Sequence, residues 1–302
     1  MRTMPLGMIN GEIIPLTRPS RRRGFSQYGD YDVVTPLARG GMGGVYLAVH
    51  TVTRERVALK VLDSQLASSE EVVARLYAEQ AVSARASHPG LIDIRASARN
   101  LDGIPYLVME YLEGETLAAI AEHATLEIPA ILRITAQVAA ALAALHDAGV
   151  IHCDVKHENV FVLAERTACG WPKVKVLDFG VSRFVDEPTY GDGAIAGTPW
   201  CMAPEQWAGK PCPQSDVYSL GCMLFELTTG CAPFDGSLPE IMHAHLAQRP
   251  SRPSWLRAMP LDLERLILRA LAKEPALRPT MHELAGALTE LHEQLTEQRA
   301  SA

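Results

Sequence analysis

Residues 151–159, IHCDVKHEN, bring a carboxylate, a cation and an amide into one short loop, and the rest of the chain is read by what it supplies to that loop. Asp154 is suited to accept a proton from an attacking hydroxyl, Lys156 to neutralise charge on a transferred phosphoryl group, and Asn159 to offer a carbonyl oxygen to a hard metal ion. Alone, the nonapeptide is a weak signal. It gains force if a second metal carboxylate, a phosphate-covering glycine loop and an inward-facing Lys and Glu occur elsewhere.

The glycine loop lies upstream. From residue 32 the sequence reads as a strand, then the turn ARGGMGG at 38–44, then a run in which Val45, Leu47 and Val49 alternate with Tyr46, Ala48 and His50. A dinucleotide fingerprint or a Walker loop opens a helix, whereas this turn opens a strand and no GK[ST] follows. A flap over phosphates and an ordinary hairpin turn both fit the loop taken alone. The next strand, VALKVL at 57–62, places Ala58 and Lys60 on one face and Val57, Leu59 and Val61 on the other. A lysine between apolar neighbours needs an anion. In a helix predicted over 70–86, Val72, Leu76, Glu79 and Ser83 keep helical spacing, which turns Glu79 inward and makes it the partner of Lys60.

IPYLVMEYL at 104–112 reads as a buried strand leading to a hinge at Glu113-Gly114, where the first of two lobes ends. The second opens with an alanine-rich helix at 128–148, stopped by Gly149. After the 151–159 loop, short strands at 160–163 and 174–177 deliver Asp178-Phe179-Gly180, and Asp178 is the second metal carboxylate. The stretch from there to Glu205 lacks periodicity and is predicted as a long functional loop. DVYSLGCMLFELTT at 216–229 is apolar nearly all round and ends at Gly230, as a helix through the centre of a lobe would be. Helices over 238–247, 262–272 and 281–296 follow, the last with Thr280 and Glu283 as its capping box.

Composition limits the partners. A formal net charge of -7 argues against a nucleic-acid or membrane-surface binder, which needs a basic footprint. The cysteines at 153, 169, 201, 212, 222 and 231 form neither a CxxC pair nor a zinc spacing with His, so reduced thiols and a cytoplasmic location are expected. The most apolar stretch, 128–145, is interrupted by Arg133 and Gln137, and the order of charge and apolar residues at the amino terminus is wrong for a secretory signal. A protein mature from Met1, with no transmembrane anchor, is expected.

Together these motifs resemble those of a eukaryotic-like bacterial serine/threonine protein kinase, over roughly 31–291. ARGGMGGV is similar to the family's glycine loop, VALK to its lysine strand, HCDVKHEN to its catalytic loop, DFG to its magnesium motif and APE to the end of its activation segment. The resemblance implies an α+β, two-lobed fold: a small antiparallel β-sheet lobe with one main helix, and a larger, mostly helical lobe. Residues 1–29, which mix Pro, Gly, Arg and Ser without periodicity, read as a flexible basic tail in preference to a docking site; the resemblance implies a kinase domain at 30–296 divided into 30–113 and 114–296, and a short tail at 297–302. It also implies transfer of the γ-phosphate of ATP to protein Ser or Thr hydroxyls, with Asp154 as base and Mg2+ or Mn2+ held by Asn159 and Asp178.

By the same resemblance Lys60, held by Glu79, contacts the inner phosphates beneath a flap formed by Leu37, Ala38, Gly40, Gly41, Met42 and Gly43. Met109 stands behind adenine, the backbones of Glu110 and Leu112 meet its edge, and Val45 and Ala58 sandwich the ring against Phe161. Lys156 follows the serine/threonine pattern, Thr198 contacts both Asp154 and Lys156, and Arg278 pairs with Glu205.

Three positions depart from the family pattern: Ala38 replaces the first glycine, Cys153 the usual arginine and His157 the usual proline. His157 is read as filling the loop, since magnesium favours oxygen ligands. Without the arginine beside the base, control by activation-segment phosphorylation is not expected, and a regulatory protein partner or substrate supply takes its place. A nucleotide-binding pseudokinase or scaffold and a small-molecule phosphotransferase share the fold. The former is opposed by the complete set Lys60, Glu79, Asp154, Asn159 and Asp178, the latter by GTPWCMAPE and DVYSLG.

Overall fold

Alternating apolar residues build the first part of the protein, and helical stripes the second. The computed structural model describes residues 6–9, 12–15, 27–168, 170–185 and 197–300. Two compact units emerge, Met1–Gln80 with Ile94–Tyr111 and Ala81–Asp93 with Leu112–Ala302.

In the first unit, β1 (Leu6–Ile9) and β2 (Glu12–Pro15) pair antiparallel. Strands β3 (Gln27–Tyr28), β4 (Tyr31–Gly40), β5 (Gly43–His50), β6 (Arg56–Leu62), β7 (Ile94–Arg99) and β8 (Pro105–Glu110) form a six-stranded sheet in the order β3-β4-β5-β6-β8-β7. The alternation of β6 sends Val57, Leu59 and Val61 into one core with Tyr28, Ala48, Tyr106 and Val108. Tyr28 and Tyr106 meet there edge to face at 5.3 Å. Helix α1 (Glu70–Arg85) buries Val73, Leu76, Glu79 and Val82, so its inward stripe keeps the expected Leu76 and Glu79 but runs through Val73 and Val82 instead of Val72 and Ser83.

The tail expected over 1–29 is not featureless, because β1, β2 and β3 lie within it. Its composition, rich in Pro and Arg, hides a local signal: Asn10-Gly11 stands between two apolar runs, a strong hairpin pattern. The arginine cluster at 18–23 lies outside the described residues.

The second unit carries β9 (Gly114–Thr116), α2 (Leu117–His123), α3 (Ile128–Asp147), β10 (Val150–Ile151), β11 (Val160–Arg166), β12 (Pro172–Val176) and β13 (Arg183–Phe184). Then come α4 (Pro204–Trp207), α5 (Pro213–Thr229), α6 (Leu238–Ala247), α7 (Leu261–Ala270) and α8 (Met281–Ala300). The division between units falls after Tyr111, two residues before the expected hinge at Glu113. Glu113 and Gly114 are held to β11 instead: the Ala164 amide donates to the Glu113 carbonyl at 2.8 Å and Gly114 faces Leu163.

Helix α3 is long and apolar enough by composition to cross a bilayer, but 67% of its most apolar window is buried inside the protein. Ile131, Ile134, Val138, Leu142 and Leu145 all turn inward. Helix α8 packs along α3 and buries Leu284 and Leu288, and His292 reaches the Pro129 carbonyl at 2.9 Å. It continues to Ala300, past the expected end at 296, where Arg299 meets Glu127 at 2.7 Å. Helix α5 is buried on nearly every side, including a carboxylate, Asp216, with no solvent exposure. Strand β10 pairs with β13, and β11 pairs with β9 and β12, so the 152–159 loop is anchored at both ends.

Candidate active site

The expected site residues fall into two groups, one on each unit. In the first unit Gly40 faces Gly43 across the β4–β5 turn, with Gly41 and Met42 between them. The Asp63 amide donates to the Met42 carbonyl at 2.9 Å and pins the turn to the end of β6. A Cβ on Gly43 would stand 2.0 Å from the Val61 carbonyl oxygen, so only glycine permits this approach. Leu37 and Met42 are exposed at the turn. Ala38 pairs with Val45, Val45 with Lys60, Ala58 with Met109 and Val57 with Glu110, which lays these residues along adjacent strands.

Lys60 leaves β6 on the face opposite the core, and its Nζ donates to both carboxylate oxygens of Glu79, at 2.7 and 2.8 Å. The Glu79 side chain is only 4% exposed, so this ion pair is largely removed from water.

The second unit holds Leu112, Phe161 and the residues of the loop. Thr198 Oγ1 donates to Asp154 Oδ1 at 2.7 Å, Lys156 Nζ donates to Thr198 Oγ1 at 2.8 Å, and the same Nζ lies 2.7 Å from Asp154 Oδ2. The three side chains thus close a triangle that fixes the direction of the Asp154 carboxylate. Burial alone would lower the pKa of Lys156, but the hydrogen bond and charge of Asp154 outweigh it and raise it, keeping the ammonium charged. Asn159 Nδ2 donates to the Asp154 backbone carbonyl at 2.9 Å and to Oδ2 at 3.2 Å, which leaves its Oδ1 as an acceptor for a cation. The Leu177 amide donates to the Asn159 carbonyl at 2.8 Å, and so the hairpin of β11 and β12 sets Asn159 beside the residue preceding Asp178.

Asp178 is exposed, adopts a left-handed φ of 61°, and accepts the Gly180 amide at 3.1 Å. Phe179 is buried with its ring edge-on to His152, centroids 5.9 Å apart. His152 Nδ1 accepts the Asp154 amide at 3.3 Å, so Nε2 carries the proton and donates to the Leu177 carbonyl at 3.1 Å. A carboxylate and an amide carbonyl are the hard oxygen donors magnesium accepts, with phosphate oxygens and water completing its shell. Among the described residues no group of three or more His, Cys, Asp or Glu forms a protein-only cage.

Beneath the loop, Asp216 of α5 accepts the amides of His152 at 2.8 Å and Cys153 at 2.9 Å, while His146 Nε2 lies 2.8 Å from its Oδ2. Cys153 has φ 66°, a conformation side chains other than glycine rarely adopt. Burial first, then the charge of Asp216, pushes its thiol well above the usual range, whereas Arg183 of β13 acts in the opposite direction. His157 is neutral near pH 7, because burial lowers its pKa against the pull of Glu226, 3.7 Å away.

At the far end of the loop from Asp178, Glu205 is clamped by Arg278, whose guanidinium donates to both carboxylate oxygens at 2.6 and 2.9 Å. The same guanidinium reaches the carbonyls of Ala272, Gln214 and Lys273, which uses all of its N–H groups. Residues 186–196, including Thr189 and Tyr190, lie outside the described residues.

Sequence reasoning places Asp216 only within a helix motif and passes over Gln206, Arg183 and His146. Asp216 has a readable signal, an acid in the first turn of a helix apolar nearly all round. The others gain meaning only from tertiary contact.

A glycine turn on an antiparallel sheet, a lysine paired with a helix glutamate, and an Asp, Lys and Asn loop on a helical unit define the protein kinase fold. The chain belongs to the protein kinase domain family, which it matches over residues 31–287. Members use ATP with a divalent metal and act on proteins. The chain is 38% identical over 264 residues to the serine/threonine-protein kinase pkn3 of Myxococcus xanthus, covering 84% of this chain and 48% of that protein. It is 39% identical to Pkn1 of the same organism, covering 82% of this chain and 36% of the relative. The chain thus spans about half or less of the length of these curated relatives. A crystal structure of a double mutant of the Mycobacterium tuberculosis PknI kinase domain is similar with a TM-score of 0.68 and 28% identity, covering 90% of this chain and all of that one.

Proposed function

We propose that the chain is a serine/threonine protein kinase whose Asp154 serves as the catalytic base. The observation that carries this reading is the closed contact among Asp154, Lys156 and Thr198. Asp154 accepts the proton of a Ser or Thr hydroxyl as that oxygen bonds to the γ-phosphorus of ATP and the bond to the ADP oxygen breaks. Lys156 stabilises charge on the transferred group, and Thr198 keeps base and lysine aligned. Lys60, oriented by Glu79, positions the inner phosphates under the 37–43 turn. Val45, Ala58, Met109, Glu110, Leu112 and Phe161 receive the adenine. Asn159 and Asp178 would hold a divalent metal, magnesium or manganese, which would supply charge neutralisation at the phosphates.

The five described cysteines are free, which supports a cytoplasmic setting, and the acidic balance supports protein partners over nucleic acid or a membrane surface. The test is transfer of radiolabelled γ-phosphate to a generic protein substrate with magnesium or manganese. Asp154→Asn is expected to abolish transfer and to retain ATP binding, because the phosphate-contacting residues are untouched. Full transfer by that variant overturns the assignment, and a wild-type chain that binds nucleotide without transfer makes it a binding module.

A further inference from the structure

We propose that Gln206 is a positioning residue for the base: its buried amide sets the direction of the peptide that joins Cys153 to Asp154. The proposal rests on the reading of Asp154 as base. Gln206 Nε2 donates to the Cys153 carbonyl at 2.9 Å, and its Oε1 accepts the Ala203 amide at 3.0 Å. Ala203 offers only a donor and Cys153 only an acceptor here, so the pair fixes which way the amide points. The second bond is the back-reaching half of a capping box at the start of α4, where Ala203 has no side-chain oxygen to supply the other half. The first reaches out of the helix into the catalytic loop.

Cys153 must be held in its left-handed conformation from outside, since its own Sγ makes only a 3.7 Å contact with the Ile151 carbonyl. Asp216 takes its amide and Gln206 its carbonyl, so both polar ends of the residue before Asp154 are gripped by buried side chains. No slack surrounds the second grip. A Cβ on Gly197, at φ 128°, would lie 2.9 Å from the Cys153 carbonyl oxygen, 3.2 Å from Met202 Cε and 3.5 Å from Gln206 Nε2. The chain therefore closes over this bond with glycine, and loss of the amide donor leaves a buried carbonyl unpaired. A neutral amide thus ties the end of the activation segment to the loop of the base in a chain that has no arginine at position 153.

Gln206→Glu separates positioning from simple packing. The substituted carboxyl keeps an acceptor for Ala203, but it can donate to the Cys153 carbonyl only when protonated, and burial beside a carbonyl raises its pKa. At pH 8 kcat is expected to fall about tenfold or more with the KM for ATP within about threefold, and to recover as the pH drops toward 6. Gln206→Met, of similar volume but with no donor, should show the loss without the recovery. Hydrogen exchange at the Asp154 amide should follow the same pattern in both variants, which tests the tie even if the wild-type chain transfers no phosphate. Wild-type kcat in Gln206→Glu at pH 8, or a loss whose pH profile parallels the wild type, overturns the proposal. If Gln206→Glu does not fold, Gln206→Met decides: a tenfold lower kcat at near-normal KM supports the role, and unchanged kcat overturns it.

Discussion

Asp216 accepts the backbone amide of Cys153 at 2.9 Å through a carboxylate that has no contact with solvent. The helix that runs through the second unit thereby sets the backbone immediately before Asp154. Removing one acceptor from such a site leaves an N–H buried and unpaired, at about 1–3 kcal/mol. Asp216→Asn, which swaps one carboxylate oxygen for an NH2 group, is expected to lower stability by about that amount and kcat by about tenfold or more. Calorimetry and a transfer assay check both, and unchanged values of either would show that the loop is set elsewhere.

The Lys60 and Glu79 pair calls for a double substitution. Lys60→Met leaves Glu79 buried without its cation, and breaking a buried pair from one side costs about 3–5 kcal/mol, less here because Lys60 is 23% exposed. Activity and stability should therefore both fall in Lys60→Met. Adding Glu79→Leu removes the stranded charge, so the melting temperature should recover while transfer stays low. Transfer that recovers with the fold would make the pair structural only.

These two cases mark what the sequence discloses. Period-two runs set the faces of β6, and the order of short motifs locates Lys60, Glu79, Asp154, Asn159 and Asp178, because each depends on local spacing. The buried stripe of α1 runs one residue away from the periodic reading at Val73 and Val82, since a helix faces its core over a broad arc. The grips on Cys153 are invisible in the sequence because their partners, Asp216 and Gln206, stand 63 and 53 residues away and no local pattern announces them. The Asn10-Gly11 signal is present but submerged in a Pro- and Arg-rich composition.

Acid should weaken the second unit in a defined direction. Glu264 accepts the Ser254 amide and the Arg252 guanidinium, and hydrogen bonds from Ser254 and then Arg252 hold its pKa at about 2. A carboxylate depressed in the folded state contributes stability above its ordinary range and loses it as the pH falls through the folded value. The wild type should therefore lose stability between about pH 4.5 and pH 2 more steeply than Glu264→Gln, which has no charge to lose there. Parallel unfolding curves for the two proteins across that window would refute the assignment.

Control by activation-segment phosphate is expected to be absent. Where a kinase carries an arginine beside its base, a phosphate can dock on that cation and order the segment. Cys153 is neutral, buried and unable to make a bidentate phosphate contact, and its backbone is already held by Asp216 and Gln206. Of the hydroxyls between Phe179 and Gly197, Ser182 is engaged with the His152 carbonyl at 3.3 Å, and Thr189 and Tyr190 remain the acceptors to test. Arg183 is the residue that works against the expectation, because its charge lies close enough to act on Cys153. Phosphatase-treated enzyme and Thr189→Ala should accordingly keep most of the activity of untreated enzyme, as should Arg183→Gln. Loss of most activity on phosphatase treatment and in Arg183→Gln alike would show that a phosphate switch operates through Arg183 in place of the missing arginine.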